Sequence, residues 1–239
     1  MEQLNEDKGQ DEYYEGNSKK RNKQNCLLSY KILIVITVAS LLLSLCLIYS
    51  LFSKKNSANF LQLAESRFSV RNYDTKPVEK EKIEKLLRIA QVAPTAANKQ
   101  PQKIYIITKD EDREKLKTVT KYTFNAPMFF VVCVDKDTVW KHKTEDTNSV
   151  DIDGSIIATH ILLEAHNLGL GSVYVRAFQT EELKKLFNIP ENIKPVALLP
   201  LGYPKEDAKP SPSHFKKKSI DEMVEYLWNV ILLKFDLKV

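Results

Sequence analysis

Two guanidinium groups stand four residues apart in Arg67-Phe68-Ser69-Val70-Arg71, with a hydroxyl between them. That set can surround a phosphate through charge-assisted hydrogen bonds, although arginines at a helix end are commonly just solvated. A second segment, Ala93-Pro94-Thr95-Ala96-Ala97-Asn98-Lys99-Gln100-Pro101, has small residues that let a flat ligand approach the backbone. Thr95, Asn98 and Gln100 offer side-chain donors and acceptors suited to a ring edge, while an ordinary polar turn has the same composition. The third segment is Leu168-Gly169-Leu170-Gly171-Ser172, followed by Val173 to Val175 and the exit Arg176-Ala177-Phe178. Its glycines either cap a helix or open a ligand site. It is not a dinucleotide fingerprint, because GLG lacks the third glycine and follows a helix instead of opening one. Lys216-Lys217-Lys218 is either a solvated run or a phosphate clamp.

Other chemistries are poorly supplied. The cysteines Cys26, Cys46 and Cys133 have neither metal-ligand nor redox spacing, and an odd, sparse set builds no disulfide framework. The four histidines show no HxxxH or HExxH pattern, so no metal site is expected. A net charge of +5 spread along the chain argues against a nucleic-acid surface. No nucleophile or acid–base dyad is evident. His160 and His166 fall on a long helix and read as structural, and Cys133 in an apolar strand reads as an inert core thiol.

The elements that must position these residues form an α/β pattern over residues 57–239. Lys80 to Val92 carries Ile83, Leu86, Leu87 and Ala90 at helical spacing. Strands are predicted at Ile104–Thr108, Met128–Val134, Ser172–Arg176 and Val196–Leu201, the second apolar throughout as expected of a strand covered on both faces. Helices are predicted at Asp110–Thr118, at Asp151–Leu168 with Gly169 as its C-terminal stop, and at Glu181–Phe187. Ser219 and Glu222 make a capping box before a last helix bearing Met223, Tyr226, Leu227 and Val230.

The chain before this domain is of two kinds. Residues 1–31 are polar and blocky, with too little apolar surface to offset ordering entropy, and read as a disordered tail. Residues 32–52 (ILIVITVASLLLSLCLIYSLF) contain no charge and would span about 30 Å as a helix, the thickness of a bilayer core. Thr and Ser in this segment can bond back to helix carbonyls. A cleaved signal peptide would have a shorter apolar region and a small-x-small site, which is missing here. A single-pass membrane anchor is therefore expected. Lys19, Lys20, Arg21, Lys23 and Lys31 outnumber Lys54 and Lys55, which favours a cytoplasmic tail with the domain on the far side. The side on which the domain works stays open.

Taken in order, the motifs resemble the nitroreductase family, whose members have R-x-S-x-R, APS-x-x-N-x-QP, GLGS, and LGYP followed by a basic patch. This sequence has RFSVR at Arg67–Arg71, APTAANKQP at Ala93–Pro101, GLGS at Gly169–Ser172, LGYP at Leu201–Pro204, and KKKSIDEM before the final helix. The resemblance covers nearly everything after residue 60. It implies an α+β nitroreductase-like fold with a central mixed sheet flanked by helices, a homodimer with FMN at its interface, and NADH or NADPH as reductant. Arg67, Ser69 and Arg71 would hold the FMN phosphate and ribityl chain, with Phe68 contributing its backbone. Thr95 and Asn98 would meet the isoalloxazine or ribityl hydroxyls across the dimer interface, with Pro94 packing nearby. Arg176 and Ala177 lie where the family presents a backbone N–H toward flavin N5, and Gly171 and Ser172 begin that strand. Lys217, with Lys216 beside it, takes the late basic position that returns to the phosphate. Thr95 stands for the usual Ser, and Gln102 for a common aromatic after QP. The substrate would be a small nitroaromatic, quinone or related acceptor. Two other readings are a membrane-anchored flavin dehalogenase resembling iodotyrosine deiodinase, whose helical lid carries Glu, Tyr and Lys, and an FMN-binding membrane protein without turnover. Asp110 to Pro127 is short for such a lid and lacks a matching Glu-x-x-x-Tyr.

Overall fold

The computed structural model describes residues 33–49 and 60–226. The chain divides into two compact units, Met1–Phe60 and Leu61–Val239. In the first, residues 33–49 form helix α1, with large apolar residues such as Leu41, Leu43 and Tyr49 exposed along it. Its hydroxyls turn back onto the helix as expected: Thr37 donates to Ile34 O at 2.9 Å and Ser44 to Ser40 O at 2.9 Å. The described helix covers residues 33–49 of the expected span; residues 32 and 50–52 lie outside the described residues, as does the polar tail of 1–31. Among the described residues no helix is long and apolar enough to cross a membrane.

The second unit is built on one sheet. Its strands are β1 (Gln102–Ile107), β2 (Met128–Asp135), β3 (Gly171–Ser172) and β4 (Ile193–Gly202), in the order β1-β2-β4-β3. Along β2 successive residues face opposite layers. Phe129, Val131 and Cys133 join one core cluster, and Met128, Phe130 and Val132 join the other. This is why the strand is apolar at every position. A short helix, α2 (Phe60–Ser66), comes before the sheet. On one face lie α3 (Lys80–Val92) and α5 (Val150–Asn167), through Leu86, Ala90, Ile157 and Ile161. On the other lie α4 (Asp110–Leu116) and α6 (Thr180–Leu186), through Leu116 and Leu183.

The strand pairs β1–β2, β2–β4 and β3–β4 are all antiparallel, so the expected mixed sheet is corrected to an antiparallel one with, among the described residues, a single parallel bridge, Ser69 to Ser172. The register shifts between Val132 and Cys133, and Cys133 faces Pro195, which has no N–H to give the ladder. The strand expected over 172–176 is also shorter. Only Gly171 and Ser172 pair continuously with β4, and Val175 returns as an isolated bridge to Leu198. Between them Tyr174 turns toward α5, its hydroxyl 3.1 Å from Ser155 Oγ.

Helix ends obey local chemistry. α3 stops before Ala93-Pro94, since the residue preceding proline is pushed out of the helical region. α5 ends in a Schellman-type turn: Gly169 adopts φ 73°, and its N–H and that of Leu170 bond His166 O and Ala165 O at 3.0 and 2.8 Å. The predicted capping box closes, with Ser219 N–H donating to Glu222 Oε2 at 2.8 Å and Glu222 N–H to Ser219 Oγ at 3.3 Å. Within the described residues this box opens a single turn instead of the expected helix, and the remainder of that expected element lies outside them.

Candidate active site

The first and third motifs are brought together. Ser69 bridges Ser172, and Val70 N–H donates to Ser172 O at 3.0 Å, so RFSVR runs beside the start of β3. Gly171 permits this approach, because a Cβ there would lie 2.8 Å from the Val70 side chain. The segment is fixed from below by buried Tyr73, whose hydroxyl donates to Val70 O at 2.8 Å, with Pro200 O a second acceptor at 3.2 Å. Burial pushes that hydroxyl's pKa up, against the opposing effect of Arg71.

Arg67 is half-buried and Arg71 exposed. Arg71 Nη1 donates to Ser69 O at 3.2 Å, and among the described residues neither guanidinium has a carboxylate partner. His166, at the end of α5, lies 2.9 Å from Ser66 Oγ through Nε2. Burial first, and the Arg67 charge second, hold His166 below its ordinary pKa. Two guanidinium groups without carboxylate partners among the described residues, a serine hydroxyl and strand backbone therefore make a donor set whose chemistry suits an anion.

The second motif is a loop of unusual backbone. Its short 3₁₀ turn, Ala96–Asn98, includes Ala97 at φ 49° and Asn98 at φ 52°, and Gln100 comes next at φ 48°. Non-glycine residues rarely hold this left-handed conformation unless the surroundings impose it. Here they do. Gln100 N–H donates to Thr95 Oγ1 at 3.0 Å, and Ala96 N–H donates to Asp153 Oδ1 at 2.9 Å. Asp153 is fully buried in the first turn of α5 and takes a second bond from Ser149 Oγ at 2.6 Å. Pro94 and Asn98 are thereby presented outward, with Asn98 Oδ1 accepting from Gln100 Nε2 at 3.1 Å. Gln102, in place of an aromatic, donates to Ala90 O at 3.4 Å beneath the loop.

The remaining candidates are placed more loosely. Phe68 packs against the first core cluster. Arg176 and Ala177 are exposed after β3, where Ala177 O accepts from Thr120 Oγ1 at 2.7 Å. Lys216 and Lys217 are exposed beyond a 3₁₀ turn at Pro212–Phe215, and no bond among the described residues joins them to Arg67 or Arg71. The chain leading to them does start beside that segment: Asp74 N–H donates to Tyr203 O at 2.8 Å and Asn72 Nδ2 to Asp207 Oδ1 at 3.0 Å.

Two features of the site were not visible in the sequence, Asp153 and the cluster around Tyr203. Tyr203 donates to Glu79 Oε2 at 2.5 Å and accepts from Lys82 Nζ at 2.8 Å, which ties the LGYP turn to the start of α3. The Tyr203 hydroxyl is the main reason the Glu79 carboxyl is held down to about 2. Burial raises the Cys133 thiol to about 12, and His160 Nδ1 lies 2.8 Å from Ile156 O.

Residues 64–122 and 120–203 match the Nitroreductase family. A protein of Archaeoglobus fulgidus described as an NADH dehydrogenase/NAD(P)H nitroreductase is 36% identical over 157 residues, covering 62% of this chain and 86% of the relative. One of the same description from Methanothermobacter thermautotrophicus is 31% identical over 166 residues, covering 64% and 82%. Among solved structures, a nitroreductase family protein of Clostridium difficile 630 is similar with a TM-score of 0.67 and 38% identity, covering 71% of this chain and 99% of that one.

Proposed function

This chain belongs to the nitroreductase family, and we propose that it is an FMN-dependent oxidoreductase in which NADH or NADPH reduces nitroaromatic, quinone or related acceptors through flavin N5. When bound, FMN supplies a ring that takes up hydride and passes electrons on. The observation that supports this reading is the Ser69–Ser172 bridge, which brings the Arg67–Arg71 segment, whose arginines have no carboxylate partner among the described residues, beside the start of β3. These groups would hold the phosphate end, with Lys216 and Lys217 as further cations. Arg176 and Ala177, a few residues past the same bridge, would offer backbone to the flavin edge.

The Thr95–Asn98 loop supports a homodimer. It is bonded to Asp153 near one end of α5, whereas Arg67 lies by His166 near the other. At 1.5 Å per residue these points are about 20 Å apart along the helix. Pro94, Thr95 and Asn98 would thus serve the site of a partner protomer. A dehalogenase of the iodotyrosine deiodinase kind ranks below this, because the described residues between α4 and β2 hold turns and no lid helix.

For residues 32–52 the proposal is a single-pass membrane anchor, supported by the apolar exposure all along α1 and by its hydroxyls bonding back to the helix. Protease protection of intact membranes tests it and reports the side occupied by the domain. The enzymatic reading predicts that the purified chain is yellow, carries one FMN per protomer, and oxidises NADH or NADPH with a nitroaromatic or quinone. A colourless chain that takes up no FMN would overturn it. A yellow chain inert toward every such acceptor would leave a flavin-binding protein.

A further inference from the structure

The end of α5 brings a histidine up against the arginine segment. His166 stands in the last turn of that helix, half-buried, and its Nε2 lies 2.9 Å from Ser66 Oγ. Ser66 is the residue before Arg67, and its hydroxyl donates to Leu63 O at 3.2 Å. The serine oxygen therefore accepts from His166 Nε2–H, and the second ring nitrogen, Nδ1, has no hydrogen bond among the described residues. A proton can thus be added at Nδ1 without breaking the contact to Ser66. Two opposing fields bear on that proton. The carbonyl end of an 18-residue helix favours a cation in its last turn. Burial and the Arg67 charge disfavour it. Charged groups on the surrounding elements are engaged elsewhere or turned out. Glu164 Oε2 accepts from Asn167 Nδ2 at 3.2 Å, and Lys82 Nζ of α3 donates to Leu168 O at 2.8 Å. Glu65 of α2 is exposed, and no bond among the described residues joins it to the ring.

We propose that His166 is a proton-gated cation of the anion site: an anion held by Arg67 draws a proton onto His166 Nδ1, and the imidazolium then strengthens the hold on the anion. The inference rests on reading the Arg67–Arg71 segment as the site for the phosphate end of FMN, and it adds a dependence on pH to that site. An anion beside Arg67 cancels the repulsion that keeps the ring neutral, leaving the helix end to favour the charged form. By linkage the converse holds, so a dianion binds more tightly as pH falls through the range in which imidazole titrates. Arg67 and Arg71 stay charged throughout that range, so the response belongs to the histidine. The chemistry recognised is a tetrahedral dianion, whether the phosphoryl end of a flavin nucleotide or a free phosphate.

The full chain, freed of flavin, is titrated calorimetrically with inorganic sulfate, which does not itself titrate here, at about pH 8 and about pH 6. Binding is expected to be about fivefold tighter at the lower pH, the scale of one partly exposed charge contact. Part of a proton is taken up with each sulfate, read by repeating the titration in buffers of different ionisation enthalpy. His166→Gln abolishes that uptake, and its loss of affinity is confined to the lower pH. An equal loss at both pH values marks a merely structural role and overturns the inference. So does uptake that persists in His166→Gln, or sulfate binding with no uptake in the unaltered chain. Ring NMR of the unaltered chain needs no variant at this position: one of the four histidines shifts its titration upward when sulfate is added, and in Arg67→Ala it no longer responds. No responding histidine overturns the inference as well. FMN titration at about pH 8 is run beside these measurements. A chain that takes up FMN but shows no His166-linked sulfate binding loses only the proton gate. One that binds sulfate in this way but no FMN keeps the gated anion site and loses the cofactor reading.

Discussion

Replacing Asp153 with alanine removes the anchor of the Thr95–Asn98 loop. The side chain is fully buried and accepts two bonds, from Ala96 N–H at 2.9 Å and from Ser149 Oγ at 2.6 Å. A hydrogen bond to a charged group contributes roughly 1.5–3 kcal/mol, and the abandoned donors would be left buried at Ser149 and half-buried at Ala96. The expected cost is therefore about 3–5 kcal/mol. Ser149→Ala removes one of the two bonds and spares the loop, at about 1.5 kcal/mol. Asp153→Asn keeps an acceptor for Ala96 and falls between them. The assay is urea unfolding monitored by tryptophan fluorescence. With a slope of about 2 kcal/mol per molar urea, Asp153→Ala lowers the midpoint by about 2 M. Flavin retention is measured in parallel, because a loop that holds Ala97 and Asn98 at positive φ relaxes once Ala96 is released. Asp153→Ala is expected to lose flavin more than Ser149→Ala does, even at urea concentrations where both are folded. A stability within about 1 kcal/mol of the unaltered chain, with flavin retained, would refute the idea that Asp153 imposes the loop's conformation.

Three shorter predictions accompany it. Gly171→Ala puts a Cβ 2.8 Å from Val70, which should cost about 1–3 kcal/mol and weaken FMN binding together, measurable by denaturation and flavin titration. His166 is held below its ordinary 6.5, so the unfolded chain binds more protons than the folded one below that pH. Its contribution to stability is complete above 6.5 and is lost as pH falls below it; His166→Gln should flatten that slope, and NMR should show the His166 pKa rising when phosphate binds at Arg67. Cys133, buried and raised to about 12, should escape iodoacetamide at about pH 8 in the native chain and react after unfolding, as read by peptide mass spectrometry.

Elements whose sequence period matches their burial were legible. Lys80–Val92 forms the helix its sequence predicts, because its apolar spacing and the downstream Pro94 mark both face and end. The apolar run at β2 identified a strand covered on both sides, as the alternation of its residues between two core clusters explains. Strand direction was not legible, since period alone does not distinguish the antiparallel ladders found here from a mixed sheet. The Ser172–Arg176 strand was overextended for a related reason: β-branched and aromatic residues there look like a strand, yet Tyr174 leaves the ladder for Ser155. In the candidate site, the motif order singled out the Arg67–Arg71 segment and the Ala93–Pro101 loop. Asp153 was hidden because acidic residues in a helix's first turn are expected on dipole grounds alone. Only the fold shows that this one faces inward and binds Ala96. Tyr203 belonged to a motif of the resemblance, but its bonds to Glu79 and Lys82 span more than a hundred residues.

Everything proposed for the site depends on Arg67, Ser69 and Arg71 forming a phosphate site for FMN. Fluorescence titration of the flavin-free chain with FMN and with riboflavin, which lacks the phosphate, isolates that contribution. The unaltered chain is expected to bind FMN at least about 100-fold more tightly than riboflavin, a difference of about 2.7 kcal/mol, and Arg67→Ala to remove most of that margin with little effect on riboflavin. Equal affinity for the two flavins, or an FMN preference untouched by Arg67→Ala, would show that the phosphate is held elsewhere or not at all.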